Sequence, residues 1–343
     1  MRAPIALAAR LAAAFVGIGL ASAPALADAV ADFYAGKRIT LVVATPPGGP
    51  YDICARLLAR HLGRHVPGNP TIVVQNMAGA TGMLAADYIY NKAPQDGTIL
   101  GNLHNMLPLM RTLGRLTADV DPAKFNWIGN ITRETGDAIV SSKAPVKTIE
   151  DAKRVEVVMG AASPMALAAI YPRVMNYVLG TKFRVVTGYN GFAGVEHAIE
   201  EGEVQGNAGD TWYSGVGRTY QLYKEGAIRV IVQIGTRSPE LADVPLLTDL
   251  AGSDADRALL ELFSSPYEVG KPTAMGPGVP PERVAAVRAA YEATLGDPAL
   301  VADAAKLGVT IAPVPGPELA ALMTRLTHLP PELVDRAREA VGQ

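Results

Sequence analysis

The residues of this 343-residue chain that could do chemistry are acids beside glycine-rich turns, five histidines, and a serine in a small-residue loop. The densest stretch is "TPPGGPYD", Thr45 to Asp52, which follows the apolar run "RITLVVA" (38–44) and opens an amphipathic pattern. Glycines such as Gly48 and Gly49 let a ligand approach main-chain N–H groups, and a helix N-terminus adds a field that favours an anion. A dinucleotide site would show G-x-G-x-x-G and a nucleoside triphosphate site G-x-x-x-x-G-K-[ST]; the loop is neither, and no lysine follows it. A plain carboxylate fits what remains, although an ordinary strand-to-helix turn would look the same. Asp52 reads as a first-turn acid that accepts backbone N–H bonds and fixes the loop.

A second stretch, "QNMAGATG" (75–82), repeats the character after another apolar run. Gly79, Ala80, Thr81 and Gly82 offer amides and a hydroxyl at the start of a helical pattern. In open α/β sheets ligands sit beyond the C-terminal ends of the strands, where two such loops would gather. "GDTWYSG" (209–215) sets Asp210 and Thr211 beside two aromatics, which suit a ligand wall or a core edge.

Metal and catalytic readings are weaker. His61 and His65 have a helical spacing that can hold zinc, but the glutamate of H-E-x-x-H is missing and Gly63 intervenes, so no metal is expected. His104, His197 and His328 are scattered without an acid at diagnostic spacing. In "GAASPM" (160–165), Pro164 and Met165 stand where a nucleophile elbow needs x-G after its serine. A hydrolase built on Ser163 stays open, because triad members can lie far apart in sequence. Glu200, Glu201 and Glu203 read as a solvated helix end.

The elements that must position these residues are short β-branched runs, each followed by a turn signal and a helical pattern. The predicted strands are 38–44, 71–75, 98–103, 125–131, 155–159, 183–187, 204–208 and 228–235. Apolar strands alternating with helices argue for parallel sheets covered on both faces. In the first helix Ile53, Cys54, Leu57, Leu58 and Leu62 make the inner stripe, while Arg56, Arg60 and Arg64 repeat on the wet side. "TIED" (148–151) is a capping box. "PPERVAAVRAAYEATLGDP" (280–298) puts proline at a helix start, Gly296 at its end, and Val284, Val287, Tyr291 and Leu295 on its inner face. Neither a repeat nor a low-complexity linker marks a boundary, as expected for two sheet domains between which the chain crosses near 128–132 and 233–237.

Composition narrows the class. Arg2 and Arg10 flank a short apolar run that leads to "APALADA", the pattern of a secretory signal cleaved between Ala27 and Asp28. Losing those two arginines moves the formal net charge from −2 to about −4, which gives no basis for nucleic-acid binding. The single cysteine, Cys54, excludes an intrachain disulfide and reads as a small buried hydrophobe.

Six stretches in order make the chain resemble the extracytoplasmic solute receptors of tripartite tricarboxylate transporters, the Bug or TctC-like family. They are "PPGGPYD" (46–52), "QNMAGATG" (75–82), "APQDGTIL" (93–100), "GYNGFAGVEHAIEEGEVQG" (188–206), "RSPELADVPLL" (237–247) and "GPGVPPERV…DPAL" (276–300). The resemblance implies an α/β, type II-like two-domain periplasmic solute-binding protein, each domain a mostly parallel sheet flanked by helices. Residues 28–130 and 236–343 would form one domain and 131–235 the other. It implies a receptor rather than an enzyme, monomeric, without cofactor or metal, that closes on a small organic acid and delivers it to integral-membrane permease subunits. A sensor that presents the closed form to a signalling partner would use the same surface. The ligand positions that carry over are Gly48, Gly49, Tyr51, Asp52, Thr81 and Gly82 on the first domain. On the second they are Ala162, Ser163, Gly191, Asp210 and Thr211. Two positions depart from the family pattern: "GAASPM" keeps only Gly160 of a glycine-rich loop, and Gln205 replaces an aspartate. An aspartate at 210 beside an anion would repel it unless the ligand brings a donor or the acid is protonated.

Overall fold

The computed structural model describes residues 29–116, 119–212 and 217–342, so the expected signal segment and its cleavage point lie outside the described residues. Strands β1 (Arg38–Val43), β2 (Thr71–Asn76), β3 (Ile99–Asn102) and β4 (Asn126–Asn130) start one sheet. Strands β5 (Thr135–Ser141), β6 (Val157–Ala161), β7 (Phe183–Thr187), β8 (Gly206–Thr211) and β9 (Ile228–Gly235) make a second. The chain then returns to the first sheet with β10 (Pro272–Met275) and β11 (Val314–Pro315). The orders are β11-β4-β10-β3-β1-β2 and β7-β6-β8-β5-β9.

All eight expected strands are present, two with the expected bounds and the rest with ends displaced by up to three residues. Three were not expected. The run "TGDAIVS" of β5 has a glycine and an aspartate inside it, and β10 and β11 are short and carry prolines. These additions change the character of the sheets from mostly parallel to mixed. β1 pairs parallel with β2 and β3, and β6 with β7 and β8. β10 runs antiparallel to β3 and β4, β11 to β4, and β5 to both β8 and β9. The physical reason is connectivity: β5 and β10 begin just after the chain has passed between sheets, and a strand entering from that side runs against its neighbours.

Local signals explain the helices. Helix α1 (Pro50–Leu62) has proline in its first turn and buries Cys54, Leu57, Leu58 and Leu62, leaving Arg56, Arg60 and Arg64 exposed. Ile53, expected inside, is only half-buried. Thr148 Oγ1 accepts the Asp151 N–H at 3.2 Å and Asp151 Oδ2 accepts the Thr148 N–H at 3.1 Å, the reciprocal bonds of a capping box. Helices α2 (Leu167–Leu179) and α3 (Gly191–Glu201) flank the second sheet, and α4 (Asp254–Val269) packs on β9. Helix α5 (Pro281–Leu295) buries Val284, Val287, Tyr291 and Leu295 against the first sheet, as its pattern requires. Helix α6 (Pro298–Lys306) lies beside α1, and α7 (Pro331–Ala340) rests on α2 and α4. His61 Nε2 meets Asp303 at 3.1 Å and His65 Nε2 meets Asp297 at 2.9 Å, so both histidines fasten α1 to α6.

One apolar cluster runs through both sheets, from Val42, Leu103 and Trp127 to Val140, Ile170, Ile234 and Phe263. Each such side chain contributes about 1.5–3 kcal/mol when fully buried, so this shared core holds the two sheets together. The junction is tight at Gly270, which ends α4 with φ +62°. A Cβ there would lie 1.8 Å from the Thr132 carbonyl oxygen. Gly270→Ala is expected to cost at least about 2 kcal/mol, from a left-handed backbone and a backbone clash combined. Urea unfolding measures it, and an unchanged midpoint would contradict this account of the junction.

Candidate functional site

The loop after β1 is organised by Asp52. Its Oδ2 accepts the Gly48 N–H at 2.9 Å and Arg56 Nε at 2.9 Å, and its Oδ1 accepts Asn76 Nδ2 at 2.9 Å. Asn76 also donates to the Thr45 carbonyl at 3.0 Å, which pins the loop to the end of β2. The Arg56 bond foremost, then the Gly48 and Asn76 bonds, hold the Asp52 carboxyl down to about 2 against the opposing effect of burial. The first-turn role expected for Asp52 is therefore what the geometry displays. It also means that the Gly48 N–H is engaged within the loop. Gly49 caps α1 with extended backbone, and open space surrounds the point where its Cβ would be.

Tyr51 braces three segments at once. Its hydroxyl donates to the Gly270 carbonyl at 3.3 Å and accepts the Asn105 N–H at 3.1 Å, while its ring stacks on His104 at 5.2 Å. Thr81 is exposed and, like Ala80, lies in the left-handed region, at φ +53° and +46°. A Cβ on Gly82 would lie 2.6 Å from His104 Cβ, so glycine lets the loop after β2 close onto the loop after β3. Burial, and secondarily Lys271, push His104 down to about 4, so this imidazole is neutral near neutral pH. The three first-sheet loops thus meet around Tyr51 and His104.

On the second sheet the Ala161 carbonyl accepts the Gly188 N–H at 3.1 Å and the Tyr189 N–H at 3.4 Å, joining the loops after β6 and β7. Gly191 donates its N–H to the Tyr189 carbonyl at 3.1 Å. Ala162 is half-buried and Ser163 exposed. Among the described residues no hydrogen bond links Ser163 to a histidine, and no group of three or more His, Cys, Asp or Glu could hold a metal ion. Asp210 is the penultimate residue of β8; its Oδ1 accepts the Thr211 N–H at 2.7 Å, and Tyr267 donates to its carbonyl at 3.3 Å. It stands opposite Asp137 in register, on the same face of the sheet. Burial, then Asp210 and Glu196, push Asp137 up, and Asp210 is pushed up to about 6 by burial, then by Glu196 and Glu134. Tyr213, Ser214 and Gly215 of "GDTWYSG" lie outside the described residues.

Between the sheets lies a cavity of about 540 Å³, bounded by Thr132–Thr135 and Thr236–Pro239, the segments where the chain enters and then leaves the second sheet's strands. Pro50, Ile53 and Cys54 of α1 line one side, Thr211 another, and Lys271 and Glu134 form a buried ion pair in its wall. Of the eleven expected ligand residues, Thr211 lines this cavity, and Gly49 immediately precedes the lining Pro50. The others gather at the strand ends as two loop clusters. Sequence reasoning missed Lys271, Glu134 and His104. The one available signal was a lone lysine in the otherwise apolar "VGKPTAM" (269–275).

Two mixed α/β sheets, joined by crossing segments with ligand-sized space between them, define a two-domain solute-binding-protein fold. No protein-family model matches the chain. It is 33% identical over 142 residues to the "UPF0065 protein in gbd 5'region" of Cupriavidus necator, a match covering 41% of each chain. It is 41% identical over 87 residues to Protein BugT of Bordetella pertussis, covering 25% of this chain and 26% of that one. The chain therefore matches less than half the length of these curated relatives. Among solved structures, a TctC solute-binding protein from Polaromonas superposes with a TM-score of 0.69 at 19% identity, covering 89% of this chain and 99% of that one. The periplasmic binding protein BugD gives 0.60 at 20% identity, covering 90% and 98%. MatC of Rhodopseudomonas palustris, solved with bound malate, gives 0.56 at 22%, covering 89% and 99%. The partial sequence matches are thus to Bug and UPF0065 proteins, and the fold is shared with TctC-like and Bug solute-binding proteins.

Asp210 yields a pH test. Its folded pKa is raised above the unfolded value, so ionising it costs stability as pH climbs from about 4 to about 6. Asp210→Asn keeps the Oδ1 acceptor and removes that cost. The variant is expected to melt higher than wild type at pH 7.5 and to lose this advantage at pH 4.5. Equal differences at both pH values in a thermal melt would refute the assignment.

Proposed function

We propose that this chain is a periplasmic receptor that binds a small organic acid between its two lobes and releases it, unchanged, to membrane permease subunits. The observation that carries the reading is the cavity lined from both lobes, with the loops of α1 and β8 reaching its edge at Pro50 and Thr211. The amide-bearing turns at Gly49 and Thr81–Gly82 would hold the carboxylate from the first lobe, with Asp52 and Tyr51 fixing their shape and Gly48 supplying the turn. Ala162, Ser163, Gly191 and Thr211 would approach it from the second, where Asp210 would meet a hydroxyl or amine rather than the carboxylate. Residues 28–130 with 236–343, and 131–235, would be the two lobes, working as a monomer without cofactor, metal or covalent chemistry.

Malate in MatC, and adipate in another Rhodopseudomonas palustris neighbour, support an acid as ligand. A ligand that binds only the folded chain stabilises it by about 2.7 kcal/mol at a hundredfold excess over Kd. Thermal-shift screening of aliphatic, aromatic and amino acids is expected to find at least one stabilising acid. Shifts produced by sugars or nucleotides alone would refute the proposal.

A further inference from the structure

We infer that the solute is an acid with an apolar body, whose carboxylate sits at the strand-end loops and whose hydrocarbon fills the cavity beside the crossing segments. This rests on the receptor reading above and narrows it to a class of ligand. The cavity's size, about 540 Å³, falls within the range of small-molecule sites and greatly exceeds what a four-carbon diacid occupies.

The distribution of charge around the cavity decides the class. Pro50, Ile53 and Cys54 of α1, with Leu307, Val309 and Pro239, give the cavity an apolar wall, and the hydroxyls of Thr132, Thr135, Thr236, Ser238 and Thr310 also line it. The cations that line it already have carboxylate partners: Lys271 pairs with Glu134, Arg133 with Glu318 at 2.6 Å, and Arg237 with Asp249. A second carboxylate carried into this space would lose its hydration without finding an unpaired cation. A hydrocarbon or aromatic group placed there needs no cation and removes apolar wall from water. Continuity with the loops is given by Pro50, next in chain to Gly49, and by Thr211, next to Asp210.

The half-buried side chains Ile53 and Val309 lie on two different segments of the lining, a helix and a loop, and allow the space to be filled from either. Isothermal titration of the purified protein would use phenylacetate and hexanoate against malonate and succinate, in wild type, Ile53→Trp and Val309→Trp. Phenylacetate or hexanoate is expected to bind at least about tenfold tighter than either diacid, as a few buried carbons allow. Each tryptophan is expected to weaken that binding about tenfold or more while changing diacid binding less than twofold. Should Ile53→Trp fail to fold by circular dichroism, Val309→Trp, on a loop, gives the same readout. Diacids binding as tightly as the apolar acids, or apolar acids binding equally well in a folded tryptophan variant, would overturn this inference and leave the receptor reading standing. If no acid binds in this titration or in the thermal screen, both fall.

Discussion

The structure turns on a buried ion pair. Lys271 and Glu134 are 3% and 9% exposed; Glu134 lies in the segment that enters the second sheet, and Lys271 immediately before β10 of the first. Taking two charges out of water is expensive, and only close pairing and further polar contacts offset it. Lys271 has both the carboxylate and the face of Tyr51, whose ring centre lies 5.5 Å from its ammonium. Glu134 is held in turn by its backbone, whose N–H donates to the Tyr267 carbonyl at 2.9 Å. Removing either partner leaves an uncompensated buried charge, so the crossing geometry is specified at this point.

From that junction the contacts radiate to both loop clusters. Tyr51 carries the constraint to Asn105 and His104 and, through Gly270, back to the end of α4. Tyr267 carries it to Asp210, at the mouth of the second sheet. The two loop sets are therefore braced from one place, yet they differ in chemistry. The first offers small residues and a neutral imidazole. The second stands over Asp137 and Asp210, and burial, then Glu196 and Glu134, keep Asp210 hard to ionise. An asymmetric guest, acidic at one end only, suits such a pair of surfaces better than a symmetric one. Any occupant shifts the arrangement of the lobes only as far as it binds one arrangement better than another.

Much of this was legible in the chain. Asp52, two residues into a proline-started helix after a double glycine, could do little other than cap and pin the loop, and it does. The arginine stripe, the "TIED" box and the inner face of α5 follow from period and capping alone. What escaped was set by partners distant in sequence. "TGDAIVS" gives no clear strand signal because its glycine and aspartate are poor strand formers, but Gly136 is needed where the Tyr267 ring approaches within 2.3 Å of a Cβ position. Ile53 sits on the helix face that period calls inner, yet at that turn the inner side is a cavity rather than core. Lys271 shows locally only as a lone lysine in an apolar run, and its role stayed hidden because its partner lies 137 positions away. The amide cradle was over-read at Gly48, because a carboxylate four residues on claims that N–H first.

The claim on which the rest stands is that a small acid is held between the lobes and left chemically intact. Denaturing the freshly purified protein and identifying the released small molecules by mass spectrometry tests it most directly. The account predicts one organic acid in near-stoichiometric amount, recovered unaltered after prolonged incubation with the protein. Recovery of a converted product, or of a sugar or nucleotide in place of an acid, would contradict it.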